Sequence, residues 1–352
     1  MSKEKKRLTN KTSVASFLQK GKRKVDISSL VNAIQTGNKV ALSQAITLIE
    51  SQNESQWHAG HSLLDQIPKV SKPAMVIGIT GSPGVGKSSF IEQLGLMLTS
   101  HSLKVAVLAV DPSSQVSKGS ILGDKTRMEK LGQQPNAFIR PSAAGKTLGG
   151  VAQSTKSSIA LCEKAGYQVI IVETVGVGQS EVLVHSMTDM MLLLLQPGSG
   201  DELQGIKKGV VELADLLVVN KHDSDKIELA KQTKLYFSNA IHLLSPKHQD
   251  WQIKVLLCSA QENTGVEEIW SNIKDFFNVK ESSGQLQSNR VTQSASWYDT
   301  YAEKTILNLI LENEVISDLN SKIKAQVKTG QIPLYQAIEQ FRKALKSNII
   351  EK

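Results

Sequence analysis

One stretch near residue 80 constrains the fold of this chain more than any other. Residues 75–80 are apolar or β-prone and predict a buried strand. They lead into GSPGVGKS, residues 81–88, which matches the phosphate-loop pattern G-x-x-x-x-G-K-[ST] in full, and a helix-compatible run, residues 90–98, follows. Strand, loop and helix in this order are the context that the pattern requires, and they disfavour an ordinary glycine-rich turn. We expect the chain to bind a nucleoside triphosphate.

Each residue type in this loop suits phosphate binding. Glycines permit positive φ angles and bring backbone N–H groups close to phosphate oxygens, and the helix that follows adds partial positive charge. The Lys87 side chain can reach the β- and γ-phosphates, and the Ser88 hydroxyl can bind Mg²⁺. We therefore expect the nucleotide phosphates to contact Ser82, Pro83, Gly84, Val85, Gly86, Lys87, Ser88 and Ser89.

The composition is that of a soluble globular protein. Of its 352 residues, 40% are hydrophobic and 21% are charged, which suits one large α/β domain with a smaller one. No apolar run reaches membrane-spanning length, so we expect no membrane association. The N-terminus lacks the apolar core of a secretory signal, and it matches a mitochondrial transit peptide poorly. Cys162 and Cys258 are far apart in sequence, which favours a reducing, cytoplasmic location.

The net charge of +8 raises the alternative of nucleic-acid binding. However, much of the excess lies in residues 1–25, where lysines and arginines occur without interleaved aromatic residues. Such a run is typical of a solvated, disordered tail. The charge pattern therefore disfavours nucleic acid as a partner.

The rest of the chain divides into segments of different pattern. Residues 26–72 show helical periodicity, and residues 73–280 alternate strands with amphipathic helices, which predicts a mostly parallel, doubly wound α/β sheet. Residues 281–294 are polar and aperiodic, as in a linker, and residues 295–352 form a helical arm with apolar stripes. These stripes must be buried, either on the chain's own domain or on a second copy, and we favour a dimer.

Two acidic residues follow predicted strands beside the phosphate loop. Asp111 follows residues 104–110 and can hold Mg²⁺ or its waters, although a simple turn before Pro112 is the alternative. Glu173 follows residues 168–172, the position of a Walker-B acid. The glycines beyond Glu173 give the backbone the freedom to respond to a γ-phosphate.

A second nucleotide motif predicts which base is bound. Residues 220–223, Asn-Lys-His-Asp, fit the N-K-x-D pattern of guanine-binding proteins. The Asp223 carboxylate can accept from the ring N–H and amino group of guanine, a pair that adenine does not present, and the Lys221 stem can lie along the base. A lone tetrapeptide is a weak signal. Its position after a predicted strand and before Ser259 and Ala260 makes GTP the expected nucleotide.

Several stretches resemble a known family, the methylmalonyl-CoA-mutase-associated GTPases of the MeaB/ArgK type. The resemblance covers about residues 27–280 and extends to the helical arm. It implies an α/β phosphate-loop GTPase domain flanked by N-terminal helices and a C-terminal helical arm. The stretches that carry it are residues 173–181, 197–207, 140–142 with 147–151, and 45–50.

The resemblance also implies a function. Members of this family hydrolyse GTP slowly, act as chaperones that gate cofactor loading and protect adenosylcobalamin-dependent acyl-CoA mutases, and are homodimers joined by C-terminal helices. By this resemblance, residues 111–124, 173–181 and 198–209 are three switches, and the third contacts the partner. The motif matches assign catalysis to Lys87, Ser88 and Glu173, magnesium to Ser88, Asp111, Asp124 and Glu173, and the base to Asn220, Lys221, Asp223, Ser259 and Ala260.

The chain departs from the family pattern at a few positions. Lys146, Ser199 and His222 differ from the usual residues but are not proposed ligands. Val177 follows the glycine of the second switch where Ras-type enzymes have glutamine, so intrinsic hydrolysis should be slow, and Gln179 is only a weak substitute.

Two other functions are alternatives. A kinase or ATPase of amino-acid transport would need adenine specificity, which residues 220–223 argue against. A metal-insertion GTPase would need clustered Cys or His ligands, whereas the two cysteines here are far apart. We expect methylmalonyl-CoA mutase as the client, with adenosylcobalamin reached only through it, while other acyl-CoA mutases stay open.

Overall fold

The computed structural model describes residues 26–51, 53–110, 128–141, 148–174, 180–199, 208–242, 247–248 and 250–347. Several predicted features lie outside these residues: the basic tail of residues 1–25, Asp111, Asp124 and the glycines that follow Glu173. The chain divides into two compact units, Met1–Leu286 and Gln287–Lys352. The predicted nucleotide-binding motifs all fall in the first.

Three helices precede the sheet, as the apolar periodicity predicts: α1 Ile27–Gln35, α2 Lys39–Ile49 and α3 Glu54–Gln66. The residue before each helix, Asp26, Asn38 or Asn53, accepts a hydrogen bond from a backbone N–H of the first turn. Gly37, at φ +85°, separates α1 from α2.

The described residues form seven strands in one sheet, and every pairing is parallel, which confirms the predicted α/β fold. The order is β3-β2-β4-β1-β5-β6-β7, so the phosphate loop leaves a central strand. The strands are β1 Met75–Gly81, β2 Val105–Val110, β3 Ala137–Arg140, β4 Val169–Thr174, β5 Met190–Leu195, β6 Leu216–Val219 and β7 Lys254–Leu257.

Helices cover both faces of this sheet. They are α4 Lys87–Ser100, α5 Glu129–Gly132, α6 Leu148–Lys164, α7 Ser180–His185, α8 Lys208–Leu213, α9 Ile227–Ile241 and α10 Val266–Ser282. On β5, Leu192 and Leu194 pack in a core with residues of α4 and α10, whereas Leu193 and Leu195 pack with residues of α8 and α9. Burial on both faces explains why β5 reads as an unbroken apolar run.

Two boundaries differ from the sequence-based expectation. Strand β4 continues to Thr174, so Glu173 lies inside the strand, paired with Ile79 of β1 and Ala109 of β2. Residues 285–294, expected as a linker, are helical and belong to α11, Gln285–Glu312. Only Ser283 and Gly284 (φ +71°) separate α10 from α11. The stretch lacks proline, so polar side chains alone do not prevent the helix from extending.

The second unit contains most of α11 together with α12 Glu314–Lys328 and α13 Leu334–Leu345. Asn313 caps α12, and Ile316 and Ile323 on that helix are buried. Many other apolar side chains of this unit are exposed, among them Tyr298, Ile306, Leu307, Leu309, Val315, Leu334, Tyr335 and Ile338. Within the described chain, no helix has both the length and the apolar character needed to cross a bilayer.

Candidate nucleotide site

The loop between β1 and α4 has a backbone that only glycine adopts easily. Gly84 and Gly86 have φ angles of +77° and +93°, and Gly86 stands directly before the first residue of α4. A Cβ atom on Gly86 would lie 2.6 Å from the Asn220 side-chain nitrogen. A Cβ atom on Gly81 would lie 2.5 Å from the Leu194 carbonyl oxygen. The glycines therefore allow both the turn and its close contact with neighbouring strands.

Lys87 is held over this loop. Its side chain is buried, and Nζ donates to the carbonyl oxygens of Gly81 at 2.8 Å and Ser82 at 3.2 Å. The ammonium group thus lies beside the backbone of the loop and the first turn of α4, where it can join backbone N–H groups in binding phosphate oxygens.

Ser88 and Glu173 meet at the carboxyl ends of β1 and β4. The Ser88 hydroxyl donates to Glu173 Oε1 at 3.2 Å, and Glu173 is buried. A hydroxyl and a carboxylate are oxygen ligands of the kind that Mg²⁺ prefers, so the residues present fit this ion. In the described segments, no group of three or more His, Cys, Asp or Glu side chains could hold a metal. Asp111 and Asp124, the other predicted magnesium ligands, lie outside the described residues.

The N-K-x-D segment contacts the phosphate loop directly. Asn220 Nδ2 donates to the Val85 carbonyl at 2.9 Å, and Lys221 Nζ donates to the Gly84 carbonyl at 2.6 Å. Lys221 has a φ angle of +61°, an uncommon value for a residue with a side chain. These two hydrogen bonds join the end of β6 to the loop after β1.

The loop after β7 completes the site. The Ser259 hydroxyl donates to the Asp223 carboxylate and accepts from the Glu262 backbone N–H at 3.0 Å. The Ala260 backbone N–H donates to Asn220 Oδ1 at 3.1 Å. The sequence-predicted base-binding residues are therefore brought together, with the Asp223 carboxylate oriented by Ser259.

Known proteins resemble this chain over most of its length. A family model described as "Methylmalonyl Co-A mutase-associated GTPase MeaB" matches residues 42–315. The chain belongs to this GTPase family. It is 45% identical to "GTPase ArgK" of Escherichia coli over 288 residues, covering 82% of this chain and 87% of that protein. The resemblance inferred from the sequence is confirmed, and the protein is a GTPase.

Two further relatives extend the comparison. A Caenorhabditis elegans protein named "Methylmalonic aciduria type A homolog, mitochondrial" is 40% identical over 318 residues, covering 87% of this chain and 80% of that protein. The crystal structure of a protein titled "LAO/AO transport system kinase" superposes with a TM-score of 0.70 at 35% identity, covering 92% of this chain and 99% of that one.

The structure also pairs two family stretches whose contact the sequence did not predict. Arg140, at the end of β3, donates through Nη2 to Glu50 Oε2 of the α2 C-terminus at 2.5 Å and through Nη1 to the Ser43 hydroxyl at 3.2 Å. Burial raises the pKa of Glu50, and the Arg140 guanidinium opposes that rise. The signal available in the sequence was an arginine in one stretch and an acid in the other, separated by 90 residues.

Cys258 is the other residue that sequence reasoning missed at this site. It directly precedes Ser259, is buried, and its Sγ lies 3.4 Å from Asn220 Oδ1. His222, the unusual residue of the N-K-x-D segment, donates its backbone N–H to the Cys258 carbonyl at 3.0 Å. In the described chain, the buried His222 Nε2 has no hydrogen-bond partner.

Proposed function

We propose that the protein is a GTP-dependent chaperone of an adenosylcobalamin-dependent acyl-CoA mutase, with methylmalonyl-CoA mutase as the client. The observation that carries the proposal is the joining of a guanine-type motif to a phosphate loop through Asn220 and Lys221 in a chain of the mutase-associated family. In this function the protein gates cofactor loading and protects the mutase, and it meets adenosylcobalamin only through that partner. We place it in the cytoplasm.

The chemistry follows from positioning and charge neutralisation. Backbone N–H groups of residues 82–89, with the exception of Pro83, and the Lys87 ammonium bind the phosphates and offset the charge that develops as the terminal phosphate leaves. Ser88 and Glu173 would hold Mg²⁺, which would supply further neutralisation of this charge, and the family resemblance adds Asp111 and Asp124 as acidic ligands. The Ser88–Glu173 hydrogen bond supports this assignment, because it places two oxygen ligands at one point.

Base selection follows from hydrogen-bond polarity. The Asp223 carboxylate presents only acceptors, and the Ser259 hydroxyl takes up one of its oxygens. The remaining acceptor positions suit the N–H and NH₂ groups of guanine and oppose adenine. This selection also argues against the rival role of a transport-linked ATPase or kinase.

The predicted third switch is anchored where it begins. The Gly198 backbone N–H donates to the Thr233 hydroxyl of α9 at 2.9 Å, and the Ser199 hydroxyl donates to the Gln196 carbonyl at 2.7 Å. One end of this switch is therefore tied to α9, the helix that follows the N-K-x-D segment. We propose that GTP shifts the populations of the switch segments and that the mutase binds one population preferentially.

We also propose a homodimer formed through the C-terminal helices. The many exposed apolar side chains of the second unit support it, since apolar surface of this kind is suited to burial against a partner. Light scattering of the purified full-length protein tests this point, and a monomer at all concentrations would contradict it.

The central experiment compares GTP with ATP in hydrolysis and in mutase activation. Purified protein is mixed with cofactor-free methylmalonyl-CoA mutase and adenosylcobalamin, and cofactor loading is followed with GTP, GDP, a non-hydrolysable GTP analogue or ATP. We expect GTP turnover to exceed ATP turnover and the loading rate to depend on the guanine nucleotide. A Lys87→Ala variant is the control for phosphate binding. A higher turnover of ATP than of GTP, or a loading rate that is the same with every nucleotide, would contradict the proposal.

A further inference from the structure

The amide of Asn220 is the connection point between three segments of the site. It is buried, its Nδ2 donates to Val85 of the phosphate loop, and its Oδ1 accepts from the Ala260 backbone N–H. Cys258 Sγ lies 3.4 Å from the same Oδ1, as the second donor to that oxygen. A single side chain thus links the loops that follow β1, β6 and β7.

The Cys258 thiol is able to donate because it keeps its proton. Burial, and secondarily the negative charge of Asp223, raises the pKa of Cys258 to about 12. At neutral pH the sulfur is therefore an S–H group, which is a weak hydrogen-bond donor, and not a thiolate, which could only accept.

This donor matters because an amide side chain is nearly symmetric in shape. If the Asn220 amide rotated by half a turn, its NH₂ group would face the Ala260 N–H and the Cys258 thiol, and its oxygen would face the Val85 carbonyl. The Ala260 N–H would then oppose a donor, and the Val85 carbonyl would oppose an acceptor, so both favour the orientation in which the NH₂ group points at the phosphate loop. The Cys258 thiol could still accept weakly from the rotated amide, but its hydrogen bond to Oδ1 would be lost, so it adds a weaker preference for the same orientation.

The backbone places the thiol at this point. The Cys258 N–H donates to the Val219 carbonyl at 2.9 Å, and the Cys258 carbonyl accepts from the His222 N–H at 3.0 Å. The Cys258 backbone therefore pairs with the residue before the N-K-x-D segment and with the third residue of the segment, and its side chain reaches the first residue, Asn220.

We propose that Cys258 is a positioning residue for guanine-nucleotide binding, which acts by donating its thiol proton to Asn220 and so holding the base-binding segment on the phosphate loop. The inference rests on the proposed role of residues 220–223 in binding guanine. It concerns nucleotide retention and not the chemical step, because the Cys258 thiol hydrogen-bonds Asn220 of the base-binding segment.

The test measures dissociation of a fluorescent GDP analogue from full-length Cys258→Ala and Cys258→Ser variants. Loss of one neutral hydrogen bond predicts roughly three- to tenfold faster dissociation for Cys258→Ala. Cys258→Ser keeps a donor and should recover most of the wild-type rate, while kcat at saturating GTP stays unchanged in both. The control is Cys162→Ala, which removes the other buried thiol, on α6. If the variants do not fold, Cys258→Val and Cys258→Thr, which share one shape and differ by a hydroxyl, replace them.

A double-mutant cycle separates positioning from packing. In an Asn220→Ala background, Cys258→Ala should change GDP dissociation by less than twofold, because the group that it orients is absent. The proposal would be overturned if the two substitutions raised the GDP dissociation rate independently, so that the double variant showed the product of the two single effects. Equal dissociation rates for Cys258→Ala and Cys258→Ser would also overturn it. Failure of the wild-type protein to bind GDP would instead contradict the proposed guanine site, so the two failures are distinguishable.

Discussion

Gly86 offers a sharp test of how the phosphate loop and the N-K-x-D segment depend on each other. Gly84 and Gly86 both have positive φ angles, so alanine at either position strains the backbone to a similar degree. Their surroundings differ. A Cβ atom on Gly84 would have nothing within 4 Å, whereas one on Gly86 would lie 2.6 Å from Asn220 Nδ2. Gly84→Ala is therefore a matched control for Gly86→Ala.

The structure gives the size of the expected difference. A left-handed alanine costs about 1–2 kcal/mol of folding free energy in both variants. In Gly86→Ala the new methyl also displaces the Asn220 amide, which breaks its bond to the Val85 carbonyl and removes the acceptor of the Ala260 N–H. Each buried polar group left without a partner costs about 1–3 kcal/mol. With two such groups, we expect Gly86→Ala to be less stable than Gly84→Ala by about 2–6 kcal/mol.

The assay is urea unfolding of the nucleotide-free proteins, followed by circular dichroism. The difference between the urea midpoints of the two variants, multiplied by a common m-value, gives the difference in their free energies of unfolding. Without nucleotide, the measurement reports the contact with Asn220 and not a clash with phosphate. Equal midpoints for the two variants would refute the reasoning, because they would mean that Asn220 moves aside at no cost.

Two further predictions concern the base and the pH dependence of stability. Asp223→Asn should lower the affinity for GTP by roughly tenfold or more without lowering the affinity for ATP, because the asparagine NH₂ group would face the donors of guanine. Calorimetric titration with each nucleotide measures this effect. Asp225→Asn, at an exposed position two residues further on, is the control. Burial, and then Lys247, lowers the pKa of His185, while Asp215 opposes this. As the pH falls, His185 is therefore protonated at a higher pH in the unfolded chain than in the folded one, so the free energy of unfolding should fall as pH drops below about 6.5. Urea unfolding at pH values from about 7.5 to 5 measures this fall, and the His185→Gln variant should show a smaller one.

Much of the fold and part of the site could be predicted from local patterns. The phosphate loop is a contiguous pattern whose residue types follow from phosphate chemistry. The apolar runs that became β1, β4 and β5 reflect burial on both faces, which a single strand already encodes. The family resemblance also rested on short contiguous stretches, and the comparisons confirm it.

Other features depend on which distant segments meet. The order β3-β2-β4-β1-β5-β6-β7 depends on how each helical crossover packs, and no strand's own residues specify its neighbours. The Glu50–Arg140 pair and the contact of Cys258 with Asn220 likewise join residues that are 90 and 38 positions apart. The helical start of α11 was hidden because its polar residues carry no apolar stripe.

The difference between the features that the sequence predicts and those that it does not has one physical cause. The sequence by itself determined what each strand end offers: glycines for the turn, a lysine, hydroxyls, acids and an amide, all readable from neighbouring residues. Tertiary structure alone decided their partners, because parallel pairing brings the ends of β1, β4, β6 and β7 to one edge of the sheet. There Asn220 reaches Val85, and Ser88 reaches Glu173, across 135 and 85 residues of chain.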